Sequence, residues 1–262
     1  MLIQSHHDIP YLANSSSRHK LDIYFPPISP ATVPLVVYVH GGAWRTGDKS
    51  EFQKTAEGII RASNYRLVVA VINYQLSNKD DESVRHPSHL LDTMAAVRFL
   101  ITDQSYPGRS IVDHSRVYLV GHSAGAHLST LMTLCPHLGF EHMQHIQGVL
   151  GIGGIYNIPK LLKYNSDYSD FIDMAFAPSQ FADASPHHQA QNLHDQAQHV
   201  RFMIINSSQD ELVPSEQATD FAGQLVSTGY NDITLIVRDL GGHDESLFNP
   251  KFWDIVVQFV FA

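Results

Sequence analysis

Short apolar runs alternate along the chain with segments of helical periodicity. Residues 36–39, 67–72, 117–120 and 202–205 are continuously apolar, which is typical of strands buried on both faces of a parallel sheet. Residues 148–152 and 233–237 are further strand candidates. Between the strands, apolar residues recur at helical spacing from Leu90 to Leu100 and from Phe221 to Val226. This alternation predicts an α/β fold with a mostly parallel central sheet flanked by helices.

Two segments depart from the alternation. Residues 21–25 alternate between apolar and polar and end at Pro26-Pro27, which predicts an antiparallel edge strand. Residues 154–199 mix Tyr, Asp, Pro, His and Gln irregularly, which predicts a short helical insertion and no large cap. We expect it over the carboxyl edge of the sheet, where ligands bind in open α/β folds. No linker or repeat divides the chain, so residues 1–262 are expected to form a single domain.

Charge and composition narrow the possible partners. The chain has 17 Lys and Arg against 26 Asp and Glu, a formal charge of -9, which argues against nucleic acid as a partner. No apolar stretch is long enough to span a bilayer, and we expect no secretory signal because the first residues lack a basic region followed by an apolar run. Its single cysteine, Cys135, suits a reducing compartment. We therefore expect a cytoplasmic protein with no membrane partner, and the oligomeric state stays open.

A nucleophile motif follows the third buried strand. Residues 117–120 lead into Gly121-His122-Ser123-Ala124-Gly125, and a helical run over residues 126–132 comes next. This is the G-x-S-x-G motif in its strand–turn–helix context, which distinguishes it from a plain Gly-Ser turn. The sharp turn needs very small residues two positions before and after the serine. The motif predicts Ser123 as nucleophile and the N–H of Ala124 as an oxyanion donor, with His122 as a packing residue.

The first buried strand is followed by a candidate oxyanion loop, His40-Gly41-Gly42-Ala43-Trp44. Glycines let the backbone approach a substrate closely, so we expect the N–H groups of Gly41 and Gly42 to bind the developing oxyanion. Trp44 is a candidate to line the acyl or alcohol pocket. The alternative is that its ring packs on the rim of the sheet.

The chain from about residue 20 onward resembles the esterase and lipase branch of the α/β-hydrolases that carries a His-Gly-Gly motif. It is similar both to small carboxylesterases and to kynurenine formamidases. The shared segments are Leu21-Asp22-Ile23-Tyr24, His40-Gly41-Gly42-Ala43-Trp44 with Gly47-Asp48-Lys49, Ile72-Asn73-Tyr74, the Ser123 motif, Asp183-Ala184-Ser185-Pro186, Asp210 and His243. The chain departs at Ala43, where many members have a third glycine, and at Gln75, where arginine commonly follows the tyrosine. The resemblance implies the α/β-hydrolase fold, and it implies that His40 braces its loop.

The other two triad residues follow in the order this fold uses, Ser, then Asp or Glu, then His. Asp210 lies in the loop after the strand at residues 202–205, where the resemblance places the acid. Glu211 is its competitor and Asp195 a more distant one. His243 is the only histidine after Asp210 and Glu211, and it follows two glycines in the last loop. The expected triad is Ser123, Asp210 and His243.

These features predict a serine hydrolase that cleaves small or medium acyl carboxylic esters through an acyl-enzyme. An aryl formamidase, acting on amides of the N-formylkynurenine type, would use the same triad. A non-catalytic ligand receptor of the same fold is the third hypothesis, although such relatives usually lack a triad residue. No cofactor and no metal are expected, because two histidine groups lack the spacing of a metal site. These groups are His137, His142 and His145, and His187, His188 and His194.

Overall fold

The computed structural model describes residues 2–13, 16–27, 31–135, 138–192 and 197–262. Within them, eight strands form one sheet in the order β1-β2-β4-β3-β5-β6-β7-β8. Strand β2 is antiparallel to both β1 and β4, and all other neighbours are parallel. The strands are β1 Gln4–Pro10, β2 Lys20–Phe25, β3 Val33–Val39, β4 Val68–Ile72, β5 Val112–His122, β6 Ile146–Ile152, β7 Arg201–Ser207 and β8 Ile233–Arg238. The mostly parallel sheet predicted from the sequence is confirmed.

Helices cover both faces of this sheet. They are α1 Gln53–Ala62, α2 Ser88–Thr102, α3 Ala124–Leu134, α4 Ile158–Tyr164, α5 Ser169–Ala175, α6 Pro186–Gln189, α7 Glu216–Ser227 and α8 Pro250–Phe261. Apolar residues of α1 and α8 share one core cluster, whereas those of α2, α3 and α7 belong to the other. Strand β3 supplies alternate residues to each cluster, as the two-residue period of a strand requires. Among the described helices, none has both the length and the apolar character to cross a bilayer.

The predicted edge strand is antiparallel but does not lie at the edge. Strand β2 has β4 on one side and β1 on the other, so β1 is the edge strand. The sequence of β1 is polar and exposed, without the apolar alternation that indicates a strand. Polar contacts hold it instead, because buried Asp22 of β2 accepts hydrogen bonds from His7 Nδ1 at 2.9 Å and Asp8 N at 2.9 Å.

The predicted insertion follows β6 at the carboxyl edge of the sheet and is helical over its described part. It contains α4, α5 and α6, together with 3-10 turns at Ser166–Tyr168, Pro178–Gln180 and Ala190–Asn192. The side chain of Asn157 caps α4 by accepting a hydrogen bond from Lys160 N at 3.0 Å. Three residues considered in the sequence analysis, His137, His194 and Asp195, lie outside the described residues.

Candidate active site

Ser123 lies at the turn between β5 and α3. Its backbone has φ 53° and ψ −117°, a conformation that costs free energy for any residue other than glycine. A Cβ added to Gly121 would lie 2.5 Å from Ala126 N, and one added to Gly125 would lie 2.5 Å from His40 O. Both glycines are therefore needed for the turn to form. The turn places Ser123 at the positive end of α3, whose first N–H groups have no acceptor within the helix.

The loop after β3 lies directly against this turn. A Cβ added to Gly41 would lie 3.1 Å from the Cβ of Ser123. Gly42 has φ +99°, and its carbonyl accepts hydrogen bonds from Arg45 N at 3.0 Å and Thr46 N at 2.9 Å. The structure thus brings Gly41 and Gly42 next to Ser123 and Ala124. The backbones of two separate elements therefore lie close together here, as the predicted oxyanion hole requires.

Hydrogen bonds to three carbonyl groups hold the loop after β3 in place. His40 Nδ1 donates to Gly41 O at 2.7 Å, and Tyr74 Oη donates to the carbonyls of His40 and Gly41 at 3.0 and 3.1 Å. Arg18 Nη2 donates to Gly47 O at 2.6 Å. Burial lowers the pKa of His40 to about 4, so its imidazole is neutral. His40 therefore has the position and the protonation state of a loop brace.

The predicted acid and base form a buried pair. His243 Nδ1 donates to Asp210 Oδ2 at 2.8 Å, and the two side chains are only 5% and 2% exposed. The other oxygen, Asp210 Oδ1, accepts from Leu212 N at 3.0 Å and Val213 N at 2.8 Å. Glu211 Oε2 instead accepts from the backbone N of His243 at 3.0 Å. Asp210 thus binds the imidazole ring of His243, whereas Glu211 binds the main chain of that residue.

Gly153 lies against the Asp210–His243 pair, and it was not predicted from the sequence as a site residue. It follows β6 with φ +55°, and a Cβ there would lie 2.9 Å from Asp210 Oδ2 and 3.1 Å from two ring atoms of His243. Any side chain would therefore disturb the Asp210–His243 pair. In the sequence, the glycine pair Gly153-Gly154 at the end of a buried strand indicated that the backbone there comes close to another group.

His122 packs against His243, the predicted base. Its ring centroid is 4.4 Å from that of His243, and burial lowers the pKa of His122 well below the usual value, with a smaller contribution from His243. His122 was predicted to be a packing residue, and its packing partner is His243, because β5 and the last loop converge here. His122, His243 and Asp244 offer ligand atoms within 4.8 Å of one another, but a metal there would occupy the base.

Ser123 and His243 line one pocket of about 340 Å³. Its wall is mostly apolar and aromatic; the other lining residues are Gly42, Ala43, Arg45, Thr46, Ile155, Leu161, Tyr168, Phe171, Leu212, Val213 and Asp244. A second pocket of about 370 Å³ includes His122, Phe52 and Phe248 and shares Gly42, Thr46 and Asp244 with the first. The two pockets therefore meet at the loop after β3.

Trp44 lies in the core beside the catalytic pocket. Its side chain is 0% exposed, and its ring packs edge-on against His127 at 5.0 Å and Phe176 at 4.8 Å between centroids. It is absent from the described residues that line the pocket. Of the two roles considered for Trp44, substrate contact and packing, the position corresponds to packing.

We expect the free energy of unfolding to fall as the pH falls below about 6.5. His40, His89 and His127 are fully buried, and burial lowers their pKa values to about 4, 3 and 3 from 6.5. The unfolded chain therefore binds protons that the folded chain does not. Their stabilising contribution is complete above pH 6.5 and is lost as the pH falls toward the folded pKa values. Each histidine should contribute a slope approaching about 1.4 kcal/mol per pH unit in that range.

Urea unfolding at pH 7.5, 6.0 and 5.0 measures this dependence. His89→Asn provides the comparison, since it removes one of the three titrating groups and should make the slope shallower. A free energy of unfolding that stays constant or rises between pH 7.5 and 5.0 would contradict the prediction.

Comparisons with known proteins show which families the chain is similar to. A family model described as BD-FAE matches residues 21–225. Kynurenine formamidase avaC of Aspergillus versicolor is 29% identical over 279 residues, which cover 93% of this chain and 96% of that protein. Kynurenine formamidase of Danio rerio is 32% identical over 125 residues, 48% of this chain and 37% of that protein. Carboxylesterase NlhH of Mycobacterium tuberculosis H37Rv is 29% identical over 110 residues, 42% of this chain and 32% of that protein.

Solved structures share the fold at low sequence identity. Esterase B from Lactobacillus Rhamnosis superposes with a TM-score of 0.79 at 17% identity, covering 99% of this chain and 84% of that one. The metagenomic carboxylesterase EstE1 has a TM-score of 0.75 at 18% identity, covering 99% and 88%. The predicted α/β-hydrolase fold is thereby confirmed. With the family model matching most of the chain, this protein belongs to the BD-FAE family of α/β-hydrolase enzymes, in the esterase and lipase branch.

Proposed function

We propose that the protein is a serine hydrolase that cleaves small or medium acyl carboxylic esters through the triad Ser123, Asp210 and His243. One observation carries the proposal: His243 donates a 2.8 Å hydrogen bond to buried Asp210 and lines the same pocket as Ser123. This hydrogen bond places the proton on Nδ1, so the lone pair of Nε2 is available to a hydroxyl. Residues 1–262 would act as one domain on a small molecule, and the cytoplasm is its proposed location.

The proposed reaction has two halves. His243 Nε2 takes the proton of Ser123 Oγ as Oγ attacks the ester carbonyl, and the oxyanion receives hydrogen bonds from Gly41, Gly42 and Ala124 N–H groups. Collapse of this intermediate breaks the bond to the alcohol oxygen, which takes the proton from His243. Water then attacks the acyl-enzyme with His243 again as base, and the acid leaves. Asp210 holds the imidazole tautomer and stabilises the imidazolium.

Aryl formamide hydrolysis is the second candidate. It is favoured by the similarity to the Aspergillus versicolor kynurenine formamidase, which extends over 93% of this chain. The same triad would attack the formyl carbon, and an aromatic amine would leave in place of an alcohol. The aromatic lining from Tyr168 and Phe171 suits such a leaving group as well as it suits an aryl ester.

A substrate panel separates these candidates. We expect 4-nitrophenyl acetate and butyrate to be hydrolysed with a higher kcat/KM than the octanoate ester, because about 340 Å³ is at the small end of ligand pockets. N-Formylkynurenine and formanilide are assayed beside them. A higher kcat/KM for the formamides than for every ester would replace the ester proposal by the formamidase. No turnover of any substrate would favour the non-catalytic receptor.

A further inference from the structure

Arg45 places a positive charge in the otherwise apolar and aromatic part of the catalytic pocket. Of the described residues that line this pocket, it is the one Lys or Arg. Its backbone N donates to Gly42 O at 3.0 Å, so the residue is tied to the oxyanion loop itself. Its side chain is 37% exposed, which leaves the guanidinium accessible to a ligand.

The position of the guanidinium is set by two partners from α5. Nη1 donates to Asp170 Oδ2 at 2.7 Å, and Cζ lies 5.4 Å from the centre of the Phe171 ring. A guanidinium has five N–H donors in a planar fork, so it can keep one carboxylate and bind another. Phe171 lines the pocket together with Tyr168, whose ring centroid is 5.2 Å away. A substrate ring packed against these two side chains would bring a ring substituent close to Arg45.

The charges around the site restrict what Arg45 can recognise. The whole chain has a formal charge of -9, and Asp244 adds a carboxylate to the pocket wall. Long-range attraction therefore does not favour an anionic substrate, and its binding depends on a local cation. An exposed ion pair with Asp170 contributes little to stability, so fold stability alone gives a weak reason for a charge at this place.

We propose that Arg45 binds a carboxylate on the aromatic part of the substrate, so that the natural substrates are aryl esters or aryl formamides with an acidic group. This inference rests on the proposed hydrolase function and adds a substrate class to it. Asp170 would hold Arg45 in place when the pocket is empty. Arg45 then acts as a specificity residue, since it selects the substrate and takes no part in proton transfer.

The experiment compares phenyl acetate with 3-carboxyphenyl acetate and 4-carboxyphenyl acetate. The readout is the ratio of kcat/KM for the better acidic ester to that for the neutral ester. We expect Arg45→Gln to lower this ratio about tenfold or more, the effect of losing one charge-assisted bidentate contact. The change should lie mainly in KM. Arg66→Gln is the matched control, because Arg66 also stacks on a phenylalanine, at 4.5 Å from Phe261, but precedes β4 at the opposite end of the sheet.

Inhibition of the unmodified protein provides a second test that needs no variant. Benzoate should inhibit phenyl acetate hydrolysis more strongly than the neutral benzamide, and added salt should weaken the benzoate effect. Equal inhibition by the two compounds, or an unchanged ratio in Arg45→Gln, would overturn the inference. Both results presuppose that phenyl acetate is hydrolysed; if it and the formamides are not, the proposed function itself has failed.

Discussion

We expect replacement of Ser123 by alanine to abolish turnover of 4-nitrophenyl acetate and to leave the protein folded. The change removes the attacking oxygen while the backbone and the oxyanion loop keep their places. Loss of the nucleophile in serine hydrolases lowers kcat by about 10⁶-fold. Stopped assays at high enzyme concentration measure the residual rate, and circular dichroism with thermal unfolding measures the fold. More than a trace of turnover from a correctly folded variant would contradict the assignment.

Ser129, which lies in α3, supplies the control for this prediction. Ser129 is fully buried, and its hydroxyl has no hydrogen-bond partner among the described residues, so Ser129→Ala should retain activity. A fluorophosphonate probe adds a direct chemical readout. It should label the unmodified protein and Ser129→Ala but not Ser123→Ala. Labelling of Ser123→Ala would place the reactive nucleophile at another residue.

Asp210→Asn is expected to lower kcat by about 10⁴-fold, as loss of the acid does in a triad of this kind. The structure gives the reason. Oδ1 accepts hydrogen bonds from the N–H groups of Leu212 and Val213, so the variant amide keeps its oxygen on that side. Its NH₂ then faces His243 Nδ1, which must become the acceptor. The proton moves to Nε2, and the imidazole can no longer take the proton of Ser123.

Glu211→Gln is the matched comparison, because it neutralises the adjacent acid. Glu211 contacts His243 only through the backbone N, at 3.0 Å, and the glutamine can still accept that hydrogen bond. We expect a loss of about tenfold or less in kcat, since the tautomer of His243 is unaffected. Steady-state kinetics of the two variants on one ester settle the choice. A greater loss in Glu211→Gln than in Asp210→Asn would make Glu211 the acid.

Much of the fold and of the candidate site could be predicted from local patterns in the sequence. Strands buried on both faces are continuously apolar, so β3, β4, β5 and β7 were recognisable without any knowledge of their neighbours. The Ser123 turn and the Gly41-Gly42 loop are determined by steric needs within a few residues, so glycine spacing reveals them. The order of the triad along the chain then pointed to Asp210 and His243.

The tertiary structure decided what depends on contacts between distant segments. Strand β1 is polar and attaches through the buried carboxylate of Asp22, so no local period could reveal it. Trp44 packs against Phe176, and Gly153 touches the Asp210–His243 pair, only because the insertion and β6 converge at the carboxyl edge. Sequence by itself therefore determined which chemical groups are available in which order. Packing decided which of them meet, because hydrogen bonds and burial are set by distances in space rather than along the chain.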